Sequence, residues 1–394
     1  MLCRILPKDG GRLIFEASDI EDGRIRAGAI EPNGTVKLSP FAEDPVLTGL
    51  PEAAARGQLL VHRYKRRAVV RDARGFTKLL APGKAEAVAA SHRLMRALAR
   101  PSGIVMPDVV SQQSASVTLT AVHGVSFHEL GQGVTGHVSS VQDFPSQGVS
   151  GQNATEHRSS GGDVTGQGFL GDAVTESASS GQNSVGPALS GLVSSPEDVW
   201  QEAWQQWAVR WPNLAVSPAA SASPELPTHS TRDESRTVSR WVNQVQEFGA
   251  LPVSAERLQK ASSQVARLLI SGAPQSSVLS HRDLHDKQLL FNANSGSIGL
   301  IDCDTVAVAE PALDLANLLV HIDFRRAQGV YSDAAAATAE QAILETASAM
   351  NVSEVRMHAY SVSTRLRLAC LYAFRPSYRT VAHRWFERLE EDLA

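Results

Sequence analysis

Short runs in which apolar and polar side chains alternate occupy much of the chain up to residue 124. Alternation has the two-residue period of a half-buried strand, because successive side chains of a strand point to opposite faces. Residues 82 to 99 instead carry apolar residues such as Val88 and Met95 at helical spacing. This part of the chain therefore predicts an antiparallel sheet with one helix packed on it. The predicted strands are Arg12 to Phe15, Leu59 to Tyr64, Ala68 to Arg71 and Val117 to Val122.

Helical patterns dominate residues 196 to 394. Ser195, Pro196 and the two acids that follow are typical of a helix N-terminus. The helix that starts there places three tryptophans on one face, and a buried face explains them better than an aromatic binding site. After a loose segment at 217 to 236, further helices are predicted at residues 238 to 248, 255 to 270, 333 to 349 and 354 to 392, the last interrupted by Pro376.

Between these two parts, residues 131 to 195 are rich in Gly, Ser, Gln, Val and Thr and repeat with a period of five. Five residues match neither the helical period of 3.6 nor the strand period of 2. A flexible low-complexity insertion is the preferred interpretation, and a pentapeptide-type solenoid is the alternative. The glycines of the repeat stand at positions 131, 136, 151, 161, 166, 171, 181, 186 and 191.

Composition narrows the class of protein. The chain has 394 residues, of which 43% are hydrophobic, and this is enough for two or three folded domains. Its formal net charge is -4, and positive and negative residues are scattered along the chain. No basic cluster that could bind nucleic acid is present in the sequence, so no nucleic-acid partner is predicted. Three widely separated cysteines argue against a disulfide framework. The N-terminus has no apolar signal-peptide stretch and no run is long enough to span a membrane, so we expect a cytoplasmic protein.

Three short motifs supply the side chains that phosphoryl transfer requires. This reaction needs a carboxylate near the attacking hydroxyl, oxygen ligands for magnesium, and a cation at the phosphates. Asp283 is the candidate for the first role, in a loop expected to be held between two short strands. Asp302 and Gln288 are candidate Mg²⁺ ligands, and Asp304 is either a further ligand or a hydrogen-bonding residue. The motifs are His281-Arg282-Asp283-Leu284-His285-Asp286-Lys287-Gln288, Ile301-Asp302-Cys303-Asp304 and Glu310-Pro311-Ala312-Leu313-Asp314-Leu315-Ala316.

Together these motifs resemble those of the aminoglycoside phosphotransferase and choline kinase-like superfamily. The resemblance implies an α+β, bilobal protein-kinase-like fold: a small antiparallel-sheet lobe at residues 1 to 124 and a mainly helical large lobe at 196 to 394. Residues 125 to 195 would be the insertion between them. It further implies that Asp283 orients the acceptor hydroxyl and takes its proton, that Gln288 and Asp302 hold Mg²⁺, and that Asp314 braces the catalytic loop.

Gln288 departs from the family pattern, in which the loop usually ends in Asn. Glutamine keeps the amide oxygen but adds a methylene group, so metal coordination requires an adjustment of the loop. This departure supports an alternative interpretation of the chain as a catalytically silent pseudokinase that acts as a nucleotide-binding or scaffold protein. Intact Asp283 and Asp302 favour the enzyme. His281 and His285 are expected to fix the loop by hydrogen bonds.

The small lobe supplies the candidate ATP-binding residues. Lys78 lies on a predicted strand just before the helix, where kinases place the lysine that contacts the α and β phosphates. Glu86 is the only acid on that helix and is the candidate partner of Lys78, or merely stabilises the helix N-terminus; His92 lies nearer the middle. Main-chain groups of Ala121 and Val122 are expected to contact adenine.

No Gly-x-Gly-x-x-Gly phosphate loop occurs, and the turn between two of the predicted strands is basic instead. It reads Lys65-Arg66-Arg67 and either faces phosphates or is a solvated hairpin tip. Arg282 is either a phosphate ligand or part of a structural salt bridge. The resulting prediction is an ATP- and Mg²⁺-dependent phosphotransferase that acts on a hydroxyl of a small polar molecule, with an amino sugar, an aminoglycoside or a simple sugar as the leading acceptors. Membrane partners are not expected, and the oligomeric state cannot be read from the sequence.

Overall fold

Residues 1–136, 195–217 and 226–394 are described by the structure, a computed structural model. Most of the predicted insertion, with nearly all of its five-residue repeat, lies outside these residues. Its predicted start at residue 125 differs from the structure, because a strand at Val125–Ser126 and a helix at Phe127–Thr135 follow without a break. Ser126 caps that helix in a reciprocal capping box with Glu129, which explains why the chain becomes helical here.

The chain begins with a four-stranded antiparallel sheet in the order β1-β2-β3-β4. Of these strands, the alternation in the sequence had predicted only the second. Ile5 in the first strand donates its backbone N–H to the carbonyl of Phe374, which ties this sheet to the large lobe. The strands are β1 (Leu2–Lys8), β2 (Arg12–Ser18), β3 (Ile25–Ile30) and β4 (Val36–Leu38), and helix α1 (Leu50–Arg56) follows them.

The second sheet has five strands in the order β5-β6-β7-β10-β9, with helix α2 packed against its last two strands. Each of the predicted strands from Leu59 to Val122 is present, although the last ends at Leu119. The helix begins three residues later than predicted, after Pro82 and Gly83. The elements are β5 (Gln58–Arg63), β6 (Arg67–Asp72), β7 (Gly75–Leu80), α2 (Ala85–Ala99), β9 (Val109–Gln113) and β10 (Ser116–Leu119).

Two small sheets carry the motif residues. One has the order β11-β13-β14-β8, in which β14 and β8 pair in parallel and the other strands pair antiparallel. The other consists of β12 and β15. The motif at residues 281–288 lies in a loop between β12 and β13, as the sequence predicted. The strands are β8 (Ile104–Val105), β11 (Val125–Ser126), β12 (Val278–Ser280), β13 (Leu289–Asn292), β14 (Ser297–Leu300) and β15 (Ala307–Ala309).

Helices form the rest of the large lobe. Ser195 and Ser230 each begin a helix through a capping box, so Thr231–Arg236 is helical rather than part of the predicted loose segment. A short 3-10 turn at Pro376–Tyr378 interrupts the last predicted helix, as proline requires. The helices are α3 (Phe127–Thr135), α4 (Pro196–Ala215), α5 (Thr231–Phe248), α6 (Ala255–Ile270), α7 (Ala312–Ala327), α8 (Asp333–Ala349), α9 (Glu354–Tyr372) and α10 (Arg379–Asp392).

The largest hydrophobic core lies in this helical lobe and includes the tryptophans of α4. Trp200, Trp204 and Trp207 are buried, and neighbouring rings meet edge to face at centroid distances of 5.4 Å. The predicted buried helix face is thereby confirmed. Among the described residues, no helix combines the length and the apolar character that crossing a membrane requires.

Candidate active site

The loop that carries Asp283 is held in place by one buried carboxylate. Asp314, in the first turn of α7, accepts hydrogen bonds from the backbone N–H of His281 at 2.6 Å and from that of Arg282 at 2.8 Å. Arg282 has a φ of 67°, a left-handed conformation that costs energy for a residue with a Cβ atom. Asp314 therefore occupies the bracing position that the resemblance implied, and it stabilises a strained turn directly before Asp283.

A second buried carboxylate, within the loop itself, anchors it to two helices. Asp286 accepts hydrogen bonds from His128 at 2.7 Å, from Tyr331 at 2.7 Å and from the guanidinium of Arg325 at 2.9 and 3.2 Å. Burial opposes its charge, but Arg325 and His128 hold the pKa of Asp286 well below the ordinary value. These contacts join helices α3 and α7 to the loop, so the main chain on both sides of Asp283 is anchored.

Sequence reasoning did not find this support. His128 and Tyr331 lie far from the motif in sequence, and no local pattern links them to Asp286.

The ligand atoms of His285, Asp286 and His321 lie within 4.8 Å of one another, a spacing that a metal ion could bridge. Because Arg325 already contacts both oxygens of Asp286, a divalent ion there would meet a buried positive charge. The geometry favours a structural role.

Both ends of the loop at residues 281–288 are hydrogen-bonded to the segment that leads to Asp302. The ring Nε2 of His281 lies 2.9 Å from the carbonyl oxygen of Ile301, and the N–H of Ile301 donates to the carbonyl of Gln288 at 3.1 Å. Asp302 follows directly, with a φ of 59° that turns the chain away from the strand direction. Asp283, which is 2% exposed, thus belongs to the same connected unit as Asp302.

The two acids after this strand meet a cation from the small lobe. Lys78 Nζ lies 2.7 Å from Asp302 Oδ1 and 2.6 Å from Asp304 Oδ1. Burial alone would raise the pKa of either carboxyl group, yet the nearby Lys78 keeps the pKa of Asp302 below its ordinary value and that of Asp304 well below it. Residues more than 220 positions apart in the chain therefore form one ion cluster between the two lobes.

Two further side chains complete this cluster. His92 Nε2, on α2, lies 3.0 Å from Asp304 Oδ1, and burial followed by the neighbouring Lys78 lowers the pKa of His92. The neutral imidazole therefore donates its Nε2 proton to the carboxylate. Arg67 Nη1, at the start of β6, lies 3.0 Å from Asp304 Oδ2. Asp304 accepts from Lys78, His92 and Arg67 together.

The predicted pair between Lys78 and Glu86 is not formed. Glu86 is exposed in the first turn of α2, whereas His92 lies on the buried side of the same helix against Lys78. The carboxylates that Lys78 contacts come from the large lobe instead. The sequence offered Asp304 as a further ligand or a hydrogen-bonding residue, but no local pattern indicated that it would contact Lys78.

Ala121 and Val122 lie in the segment that joins β10 of the small lobe to β11 of the large lobe. Val122 packs on β14, where a Cβ atom on Gly299 would lie 2.5 Å from Val122 Cγ1, so the close approach requires glycine there. The segment thus runs beside the strand that ends near Asp302. This location agrees with the expected adenine contact, which stays a prediction.

The donor set fits a magnesium ion. Gln288 Oε1 is buried and has no hydrogen-bond partner among the described residues, while Gln288 Nε2 faces His285 at 3.4 Å. An amide oxygen and the Asp302 carboxylate are ligands that a hard cation prefers. Gln288 and Asp302 would hold the ion, and Lys78 would have to share or release Asp302 Oδ1 when it binds.

Other motif residues have structural contacts. The guanidinium of Arg282 donates to the carbonyl of Thr305 at 3.3 Å, so in this structure it is directed at the main chain rather than at an acid. Burial lowers the pKa of His281 to about 4, which makes this ring a neutral hydrogen-bonding residue, in agreement with its expected loop-fixing role. Arg67, which was predicted to face either phosphates or solvent, is buried against Asp304 instead.

Comparison with known proteins agrees with this geometry. Residues 212–349 match the model of the phosphotransferase enzyme family (APH), and this range contains all three motifs. The predicted resemblance is confirmed over that range. Comparison with curated protein sequences finds no significant match.

Several solved structures are similar to this chain. The GDP complex of wild-type aminoglycoside 2'-phosphotransferase-IIIa is 13% identical, covers 84% of this chain and 91% of its own, and superposes with a TM-score of 0.50. A glucosamine kinase is 13% identical, with coverages of 100% and 91% and a TM-score of 0.45. Macrolide 2'-phosphotransferase type I is 17% identical, with coverages of 87% and 95% and a TM-score of 0.42. The first of these likenesses confirms the predicted bilobal α+β fold.

Proposed function

We propose that this protein is an ATP- and Mg²⁺-dependent phosphotransferase that phosphorylates a hydroxyl of a small polar molecule. The observation that carries the proposal is the joining of the Asp283 loop to the strand before Asp302, with Lys78 of the small lobe in contact with Asp302. This joining supports the proposal, because phosphoryl transfer needs a carboxylate near the attacking hydroxyl, oxygen ligands for the metal and a cation at the phosphates.

Each residue has a distinct role in the proposed reaction. Asp283 accepts the proton of the acceptor hydroxyl. The oxygen of that hydroxyl forms a bond to the γ-phosphorus of ATP while the bond between this phosphorus and ADP breaks. Gln288 and Asp302 hold Mg²⁺, which neutralises phosphate charge when bound. Lys78 contacts the α and β phosphates. Asp314 and Asp286 keep the loop rigid, so that Asp283 meets the hydroxyl in a fixed orientation.

The acceptor class follows from the resemblance of the motifs. An amino sugar, an aminoglycoside or a simple sugar is the leading choice, in line with the aminoglycoside and glucosamine named for similar folds. The reducing cytoplasm is the proposed compartment, since Cys3, Cys303 and Cys370 are all free thiols. Phosphate transfer to a panel of amino sugars, sugars and aminoglycosides, followed by mass spectrometry of the product, would identify the acceptor.

Asp283→Asn tests the assigned role. It should lower kcat roughly 10²- to 10⁴-fold, the range for loss of a general base, and leave ATP affinity within about twofold. Asp333→Asn is the matched control, because Asp333 is exposed in the first turn of α8. Full activity of Asp283→Asn would refute its role. Nucleotide binding by the wild type without turnover on any acceptor would instead favour the pseudokinase alternative.

A further inference from the structure

Arg67 lies beside the basic turn that this chain has instead of a glycine-rich phosphate loop. It is the first residue of β6 and directly follows the turn at residues 64–66 that joins β5 to β6. Its neighbour Lys65 is exposed, whereas Arg67 is buried and extends to the opposite lobe. A solvated hairpin tip explains Lys65 but does not explain Arg67.

The charges around Arg67 are balanced in this structure. Lys78 and Arg67 supply two positive charges, and Asp302 and Asp304 supply two negative charges. Arg67 lies 3.0 Å from Asp304 Oδ2 and 3.8 Å from Asp302 Oδ2. Both carboxylates are therefore neutralised before any metal is bound.

This balance makes the metal and the nucleotide depend on each other. A divalent ion at Asp302 would lie close to Lys78 and Arg67 and be repelled by both, because the site is buried and weakly screened. A triphosphate brings several negative charges and can take up both cations. Binding of the metal alone is thus opposed by the same residues that favour the metal together with a nucleotide.

We propose that Arg67 is a phosphate-binding residue that exchanges Asp304 for the terminal phosphates of a nucleoside triphosphate, so that metal and nucleotide bind cooperatively. This inference rests on the proposed function. The planar guanidinium suits the role, since it can contact two oxygens of a carboxylate or of a phosphate in the same way.

The surroundings of the turn are also positively charged. Burial, with a smaller contribution from Arg67, lowers the pKa of Arg66 to about 10. Burial, followed by the charges of Arg66 and Arg63, lowers the pKa of Lys8 on β1 to about 7. The smaller like-charge contributions, of Arg67 to Arg66 and of Arg66 and Arg63 to Lys8, show that basic side chains lie close together at this turn.

The test compares two affinities in Arg67→Gln. Mn²⁺ binding to the nucleotide-free protein, followed by electron paramagnetic resonance, should become several-fold tighter because one repelling charge is gone. Binding of a non-hydrolysable ATP analogue with Mg²⁺, followed by calorimetry, should become roughly ten- to a hundredfold weaker, as expected for the loss of a charge-assisted hydrogen bond. A purely structural role of Arg67 would weaken both.

Arg71→Gln is the matched control. Arg71 is on the same strand, four residues further along, and bonds to Gln58. It should leave both affinities unchanged. Arg67→Lys keeps the charge and serves if Arg67→Gln does not fold; metal affinity should match the wild type while nucleotide affinity falls, because the forked contact is lost.

The outcomes separate this inference from the proposed function. Opposite shifts of the two affinities in Arg67→Gln support the inference. Equal nucleotide affinity in the wild type and the Arg67 variants, or a parallel loss of both affinities, overturns it while the proposed function stands. Absence of nucleotide binding by the wild type would refute the proposed function as well.

Discussion

Asp314 provides the sharpest link between the geometry of the loop and a measurable energy. Burial raises the pKa of this carboxyl group from an ordinary value of 3.8 to about 6, against the opposing effect of the hydrogen bonds from His281, Ser280 and Arg282. The group is fully enclosed at the start of α7, so solvent screening does not reduce the effect. The interval between the two values corresponds to ~3 kcal/mol of unfolding free energy.

The direction follows from proton uptake. Because the folded pKa lies above the unfolded one, the folded state binds more protons between pH 3.8 and about 6. The contribution of Asp314 to stability is therefore fully present below pH 3.8 and is lost as the pH rises through about 6. Asp314→Asn cannot titrate and should lose this dependence. The substitution should also lower the free energy of unfolding by about 1–3 kcal/mol at acidic pH. The asparagine side chain has only one oxygen, so its NH₂ group would face one of the two backbone N–H donors, and that hydrogen bond would be lost.

The assay is urea unfolding of wild type and Asp314→Asn between about pH 4 and 7.5, with linear extrapolation at each pH. Titrations of all other groups cancel in the difference between the two proteins. The free energy of unfolding of the wild type minus that of Asp314→Asn should fall by up to ~3 kcal/mol as the pH rises, and it changes sign where this fall exceeds the difference at acidic pH. Asp333→Asn should give a difference that is nearly independent of pH. A constant difference for Asp314→Asn, or one that grows with pH, would refute the reasoning.

The same variant should be impaired in catalysis at neutral pH. Loss of one of the two backbone contacts frees the left-handed turn at Arg282, and a displacement of about 1 Å at the reacting group can cost roughly 10²-fold in rate. We expect kcat to fall by at least about tenfold with a smaller change in ATP affinity. Unchanged kcat in a folded variant would mean that Asp314 does not position Asp283.

Two further predictions concern the metal and the large lobe. Gln288→Ala should weaken Mg²⁺ binding to the nucleotide complex roughly tenfold, equal to ~1.4 kcal/mol, as measured by calorimetry, and equal affinity would exclude its amide as a ligand. Arg356 contacts both oxygens of Glu310, at 2.7 and 3.0 Å. Arg356→Met would leave Glu310 buried without its cation, so it should lower the free energy of unfolding, measured in urea, by about 3–5 kcal/mol. Adding Glu310→Gln should recover part of that loss, and a stable Arg356→Met single variant would contradict the argument.

Local patterns were sufficient for most of the elements that position the site. Alternation located β5, β6 and β10, and the capping residue with its following proline located the start of α4. Alternation failed for β1 and β3, in which buried residues follow one another, and for β4, which has only three residues, all of them exposed. The start of α5 was missed because its first turn is polar and its cap at Ser230 outweighs that polarity.

Asp283 and Asp302 could be named from the sequence because each lies beside a short apolar segment, whereas the role of Asp314 followed from the resemblance of its motif to that of the family. Which charges pair with one another could not. Lys78 and Asp304 are 226 positions apart, and their contact depends on how the two lobes pack. A lysine on a strand carries no information about which buried carboxylate it will meet, so Glu86 was the reasonable but wrong partner.

The order of residues in the chain thus determined the fold class, the catalytic loop and the acids that it presents, since strand period, helix capping and motif spacing are local properties. Packing of the small lobe against the large lobe decided that Asp304 meets Lys78, Arg67 and His92. Packing within the large lobe decided that Asp286 joins His128, Arg325 and Tyr331. The physical reason is that buried charges must find partners wherever the folded chain brings them, and such partners come from segments that are distant in sequence.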